Sequence, residues 1–151
     1  MNSKLIRYAA IALVGLIAAT ASSNASAGFV GRINGTWELT GTPDPNTCNA
    51  PSFVNIATIT IDGKITNIDP ALGAGVGEAY RITRKTYAVG FFGFIPSDQG
   101  VLRYEVQGTL KREDWSHVTG RFRTTLFDPA GNPFCEYEGS IEGFRLVPMP
   151  Y

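Results

Sequence analysis

The sequence holds one histidine, two cysteines and two tryptophans among 151 residues. One imidazole and two sulfurs fall short of the four ligands of a structural zinc site. No loop has the carboxylate density of a calcium site, so Asp62 and Asp69 read as turn residues in water, and no metal or cofactor is expected. Charge is sparse, 17% of residues, with 13 basic and 13 acidic. Without a basic surplus nothing draws the chain to a phosphate backbone, so nucleic acid is not an expected partner. No stretch of ten or more residues repeats apolar side chains at the helical period, which argues against a helical protein.

The N-terminus has a recognisable form. Lys4 and Arg7 precede an apolar run, Ala9 to Ala21, and Ala25-Ser26-Ala27 supplies a small-x-small cleavage pattern. This reads as an export signal over residues 1–27, leaving a single domain over 28–151 in the periplasm or outside the cell. The run of about 13 residues is short for a membrane span, which takes about 20, so an uncleaved anchor is the weaker alternative. No later segment is long enough for a helical span. Loss of Lys4 and Arg7 leaves 11 basic and 13 acidic residues, a net charge of −2. In an oxidising compartment Cys48 and Cys135 read as a disulfide; two buried thiols are the alternative.

Short β-rich runs separated by turn signals fill the rest. They are Gly35–Thr40, Phe53–Ile61, Lys64–Ile68, Ala79–Arg84, Tyr87–Ile95, Val101–Leu110, His117–Phe127 and Phe134–Val147. Asp62-Gly63 between β-branched runs predicts a two-residue hairpin turn. The glycine-rich stretch Gly73 to Gly77 has no helix after it to hold a phosphate, and predicts an Ω-like loop or bulge, able to serve as a lid. Eight sequential strands imply an antiparallel meander, and closing it into an eight-stranded up-and-down β-barrel removes both raw edges. A β-sandwich is the alternative.

Two internal checks favour closure. Pairing residues whose numbers sum to 261 in the last hairpin sets Arg123 against Glu138 and Thr125 against Glu136 on one face. Phe122 then meets Gly139, Gly120 meets Ile141 and Leu126 meets Cys135 on the other. A slip of one residue would mix the faces. In a closed barrel the start of strand eight also lies near the end of strand one, where Cys135 and Cys48 can pin the seam. Arg103, Glu105, Arg121, Arg123, Glu136, Glu138 and Glu142 then face solvent, because burying so many ions is costly. Leu39, Leu102, Tyr104, Val106, Phe122, Tyr137 and Ile141 line the interior. Strand five is apolar on both faces, which predicts cover from outside, including a homodimer through its Phe91 face.

Gly35-Thr36-Trp37 at the first strand and Arg145 near the end of the last resemble the lipocalin-type (calycin) arrangement. That resemblance implies a barrel-closing pair, with Arg145 packed across the Trp37 indole. Thr58-Ile59-Thr60-Ile61-Asp62-Gly63, Asp69-Pro70, Tyr87-Ala88-Val89, Val118-Thr119-Gly120-Arg121-Phe122 and Phe127-Asp128-Pro129-Ala130-Gly131-Asn132 resemble exported bacterial lipocalin-like proteins over nearly the whole mature chain. The chain departs from that group where Gly77-Glu78-Ala79 replaces a tryptophan that usually follows the glycine-rich stretch. The Gly-Thr-Trp opening is also similar to avidin-type barrels, but those line a biotin site with several tryptophans, and here only Trp37 and Trp115 exist.

Nothing in the sequence assembles a catalytic set. Gly139-Ser140-Ile141-Glu142-Gly143 lacks the nucleophile-elbow spacing, and His117 has no identifiable orienting acid. The leading expectation is therefore a barrel that binds a small, largely apolar molecule, with Tyr104 and Tyr137 as polar-tipped anchors. One alternative is a barrel isomerase or cyclase, similar to the allene oxide cyclase-like barrels, which requires an ionisable group inside the lumen. The other is a packed barrel that serves as an interaction or assembly protein.

Overall fold

A computed structural model describes residues 31–70, 72–98 and 100–146. The signal segment read over 1–27 and the end of the last strand at Val147 lie outside the described residues. The strands are β1 (Gly35–Pro43), β2 (Phe53–Ile59), β3 (Lys64–Asp69), β4 (Gly73–Arg81), β5 (Thr86–Ser97), β6 (Gly100–Arg112), β7 (His117–Phe127) and β8 (Pro133–Arg145). Each pairs antiparallel with the next, and β8 returns to β1, which closes the barrel. The closing seam runs from Trp37↔Arg145 to Pro43↔Gly139. A disulfide joins Cys48 to Cys135 just beyond it. Every strand thus satisfies both of its backbone edges, which open sheets leave to solvent.

Alternation decides which side chains face inward. On β7 and β8 the observed partners are Arg123↔Glu138, Thr125↔Glu136, Phe122↔Gly139, Gly120↔Ile141 and Leu126↔Cys135, the register that the charge and glycine patterns demand. A β-carbon at Gly139 would lie 2.7 Å from the Phe122 ring, so glycine opposite the aromatic is a packing requirement. The outer face carries the ion pairs: Arg123 Nη2 is 2.6 Å from Glu138 and Arg121 Nη2 is 2.5 Å from Asp44. Exposed pairs of this kind contribute under about 1 kcal/mol each.

Three local expectations are corrected. The stretch Gly73 to Gly77 is neither Ω-loop nor bulge; it is the first half of β4. Its inward glycines give room to side chains opposite: a β-carbon at Gly75 would stand 2.8 Å from Tyr104 Oη, and one at Gly77 would stand 2.4 Å from Phe91 Cβ. The β2–β3 turn holds three residues, since Ile59 pairs with Ile65 and Thr60 N–H donates to Lys64 O at 2.9 Å. Only Gly63 among them takes a positive φ, 87°, as in a turn followed by a glycine bulge.

The third correction concerns β5. Phe91 points into the barrel, paired with Gly77 and Val106. The outward residues are Phe92 and Phe94, both exposed, with their rings edge-to-face at 6.0 Å. Strand alternation puts odd-numbered residues of β5 inside, so contact between copies through this strand would use Phe92 and Phe94 instead of Phe91.

The core gathers at one end. Ile33, Trp37, Ile59, Ile65, Tyr87, Leu110 and Val118 are buried there. Trp37 Nε1 donates to Ile33 O at 2.8 Å, which draws the short 3₁₀ turn Gly31–Ile33 over the opening. Arg145 covers the other side of the indole, its guanidinium carbon 4.4 Å from the ring centroid. Its nitrogens donate to the carbonyls of Trp115, Arg32 and Asn34. Gly35 leaves space for that guanidinium and takes φ +129°, a conformation that disfavours any other residue.

Candidate functional site

The opposite half of the barrel is only partly filled. The ends of β1, β3, β5 and β7 and the starts of β2, β4, β6 and β8 meet there, beside the disulfide. Below this mouth lies a cavity of about 50 Å³. Six of the seven residues expected to line the interior face it: Leu39, Tyr104, Val106, Phe122, Tyr137 and Ile141. Leu102 does not. It sits two positions nearer the mouth than Tyr104, half-buried against its register partner Ile95.

The walls are apolar, with polar exceptions. Asn55 on β2, Asn67 and Asp69 on β3 and Thr124 on β7 are all buried and all line the cavity. The expectation of Asp69 as a turn carboxylate in water is thereby overturned; Asp62 does lie exposed in its turn. β3 alternates from Ile65 through Asn67 to Asp69, and this parity carries the carboxylate inward. Asp69 Oδ1 accepts the backbone N–H of Leu72 at 3.0 Å, which holds Leu72 at the mouth.

Among the described residues, three buried atoms in this half of the barrel have no hydrogen-bond partner: Asn55 Oδ1, Asn67 Oδ1 and Tyr104 Oη. Asn67 stands near enough to the Tyr104 hydroxyl to influence it, but the geometry falls short of a hydrogen bond. Leaving a buried polar atom unpaired costs about 1–3 kcal/mol, so three at one place need a reason. Burial raises the pKa of Tyr104, and the Asp69 charge adds to the rise. Burial likewise raises Tyr137, Thr124 beside it pulls the other way, and Asp69 again contributes. Both hydroxyls therefore stay protonated and able to donate at neutral pH.

The inward aromatics are held by their neighbours. Tyr104 packs edge-to-face on Phe91 at 6.4 Å, and Phe122 does so on Phe53 at 5.4 Å and on Tyr137 at 6.2 Å. The Arg123–Glu138 pair of β7 and β8 stays outside, turned away from the lumen, whereas Arg112 at the end of β6 is buried at the closed end. His117 lies on the exterior as well, with Nε2 3.0 Å from Glu142 and its ring stacked on Phe144 at 4.9 Å. Neither group reaches the lumen; the ionisable side chain that does is the buried Asp69 carboxyl, on the same cavity as the Tyr104 and Tyr137 hydroxyls.

Sequence reasoning missed Asn55, Asn67, Asp69 and Thr124. The signal was present in the alternation itself: Phe53, Asn55, Ala57 and Ile59 share one face of β2. A second cleft, of about 450 Å³, opens above the first under the loop after β1. Thr47 to Pro51, Leu126, Phe134 and Cys135 form its walls, and Leu72 and Tyr137 border both spaces.

No protein-family model and no curated protein matches the chain. Among solved structures, that of EF1p2_mFAP2b bound to DFHBI is similar, with a TM-score of 0.43 at 14% sequence identity, covering 82% of this chain and 100% of that one.

Proposed function

We propose that the protein is an exported, lipocalin-like barrel that binds a small, largely apolar molecule in its lumen. The observation that carries this reading is the cavity: apolar walls, with the unpaired Asn55, Asn67 and Tyr104 atoms buried in the same half of the barrel. A protein selected only for stability would fill that space, since voids and orphaned polar groups both cost free energy. The stacking of the half-buried Arg145 on the buried Trp37 at the closed end supports the lipocalin-like kinship, and the Cys48–Cys135 disulfide supports export.

Size restricts the ligand. A dry apolar cavity of about 150 Å³ accommodates benzene. This one is about 50 Å³, so it takes only a few non-hydrogen atoms as it stands. A ring-sized ligand requires the half-buried Phe53 and Phe91 to swing outward. Saturation-transfer NMR with phenol tests the reading. Transfer from the protein to phenol is expected, together with its loss in Val106→Phe, whose ring occupies the void. A folded wild-type protein that gives no transfer removes the reading.

A further inference from the structure

We propose that the lumen and the cleft beneath the disulfide loop are two chambers of one site, joined at Leu72 and Tyr137, which takes an elongated apolar molecule ending in a carboxamide-type head. The inference rests on the ligand-binding reading above and adds the ligand's chemical class and its path.

The volumes come first. A lumen of about 50 Å³ has room for a head group only, while the cleft of about 450 Å³ is larger and more open, with Thr47 and Asn49 among its walls. Together they fall in the range of ordinary small-molecule sites, about 300–1,000 Å³. Leu72 and Tyr137 belong to the walls of both. Each is half-buried, as suits a doorway, and Asp69 fixes Leu72 by its backbone N–H.

The chemistry of the head group follows from the unpaired atoms. Asn55 Oδ1 and Asn67 Oδ1 are acceptors, and Tyr104 Oη is a hydroxyl able to donate. A primary carboxamide presents two N–H donors and one carbonyl acceptor, the complement of that set. A carboxylate presents acceptors only, and would meet two amide oxygens and the Asp69 side chain. The body of the ligand then leaves the lumen past Leu72 and Tyr137. It lies against Leu126, Phe134 and the Cys48–Cys135 bridge.

Calorimetric titration of the purified protein with octanamide, octanoate and butanamide at pH 7 tests this. Octanamide is expected to bind at least tenfold more tightly than octanoate, and Asn67→Leu to reduce that preference below threefold. Leu72→Trp, which blocks the doorway, is expected to weaken octanamide at least tenfold and leave butanamide within twofold. Leu72→Trp is expected to keep the wild-type circular dichroism and melting temperature, which separates blockage from damage. Octanoate binding as tightly as octanamide overturns the head group. Equal losses for both amides in Leu72→Trp, or none, overturn the joined chambers. If phenol binds and no amide does, this inference fails alone; if phenol fails too, the ligand-binding reading falls with it.

Discussion

Arg145 and Trp37 face each other across the seam, the guanidinium carbon 4.4 Å from the indole centroid, and each holds down a different piece of chain. Trp37 fixes the 3₁₀ turn through Ile33, and Arg145 fixes the carbonyls of Arg32, Asn34 and Trp115. Arg145→Lys keeps the charge and loses the planar fork. It should destabilise the protein by about 2–4 kcal/mol, from the cation–π contact and several charge-assisted hydrogen bonds. Urea denaturation measures it; a loss below about 0.5 kcal/mol would show that the contact is incidental.

Gly93 and Tyr104 are register partners, and a β-carbon at 93 would stand 2.4 Å from Tyr104 Oη and 2.6 Å from Ala74 O. Gly93→Ala therefore has no room on either side. A cost of about 1–3 kcal/mol is expected, as for overpacking elsewhere. The displaced Tyr104 ring should also reduce phenol binding. Gly131→Ala is the control for steric crowding: its β-carbon meets nothing within 4 Å, although its φ of 87° carries a backbone cost of its own.

The disulfide closes a loop across 87 positions. Loop-closure entropy assigns such a link about 4–5 kcal/mol as an upper figure. β1 and β8 already pair along the seam without it, so Cys48→Ala with Cys135→Ala should lower the melting temperature and keep the β-sheet circular dichroism. Loss of the sheet signal at room temperature would mean that the bridge, and not strand pairing, closes the barrel.

Tyr104 and Tyr137 both have raised pKa values in the folded protein, first through burial. The unfolded chain ionises its tyrosines near the ordinary value, and the folded chain does so only at higher pH. Stability from these groups is thus complete below the ordinary tyrosine range and declines as pH rises toward the folded values. Tyr104→Phe should flatten the alkaline loss measured by urea titration at successive pH values. A slope unchanged from wild type would place the alkaline sensitivity elsewhere.

The eight strands, their closure and the β7–β8 register were legible in the sequence because each leaves a local mark. Alternating side chains set the strands, turn residues set their ends, and glycine opposite Phe122 together with opposite charges at 123 and 138 sets the pairing. The glycine-rich start of β4 was not legible as a strand, because what selects glycine there is the bulk of Tyr104 and Phe91 on distant segments. For the same reason Phe91 could not be placed inside from β5 alone, where both faces are apolar. The sequence by itself determined an all-β barrel with a charged outer face on its last three strands. Only the tertiary structure decided that Asn55, Asn67, Asp69 and Tyr104, drawn from three strands, converge on one space left unfilled. Periodicity reports which way a side chain points; how much room remains where eight strands point inward depends on all of them at once.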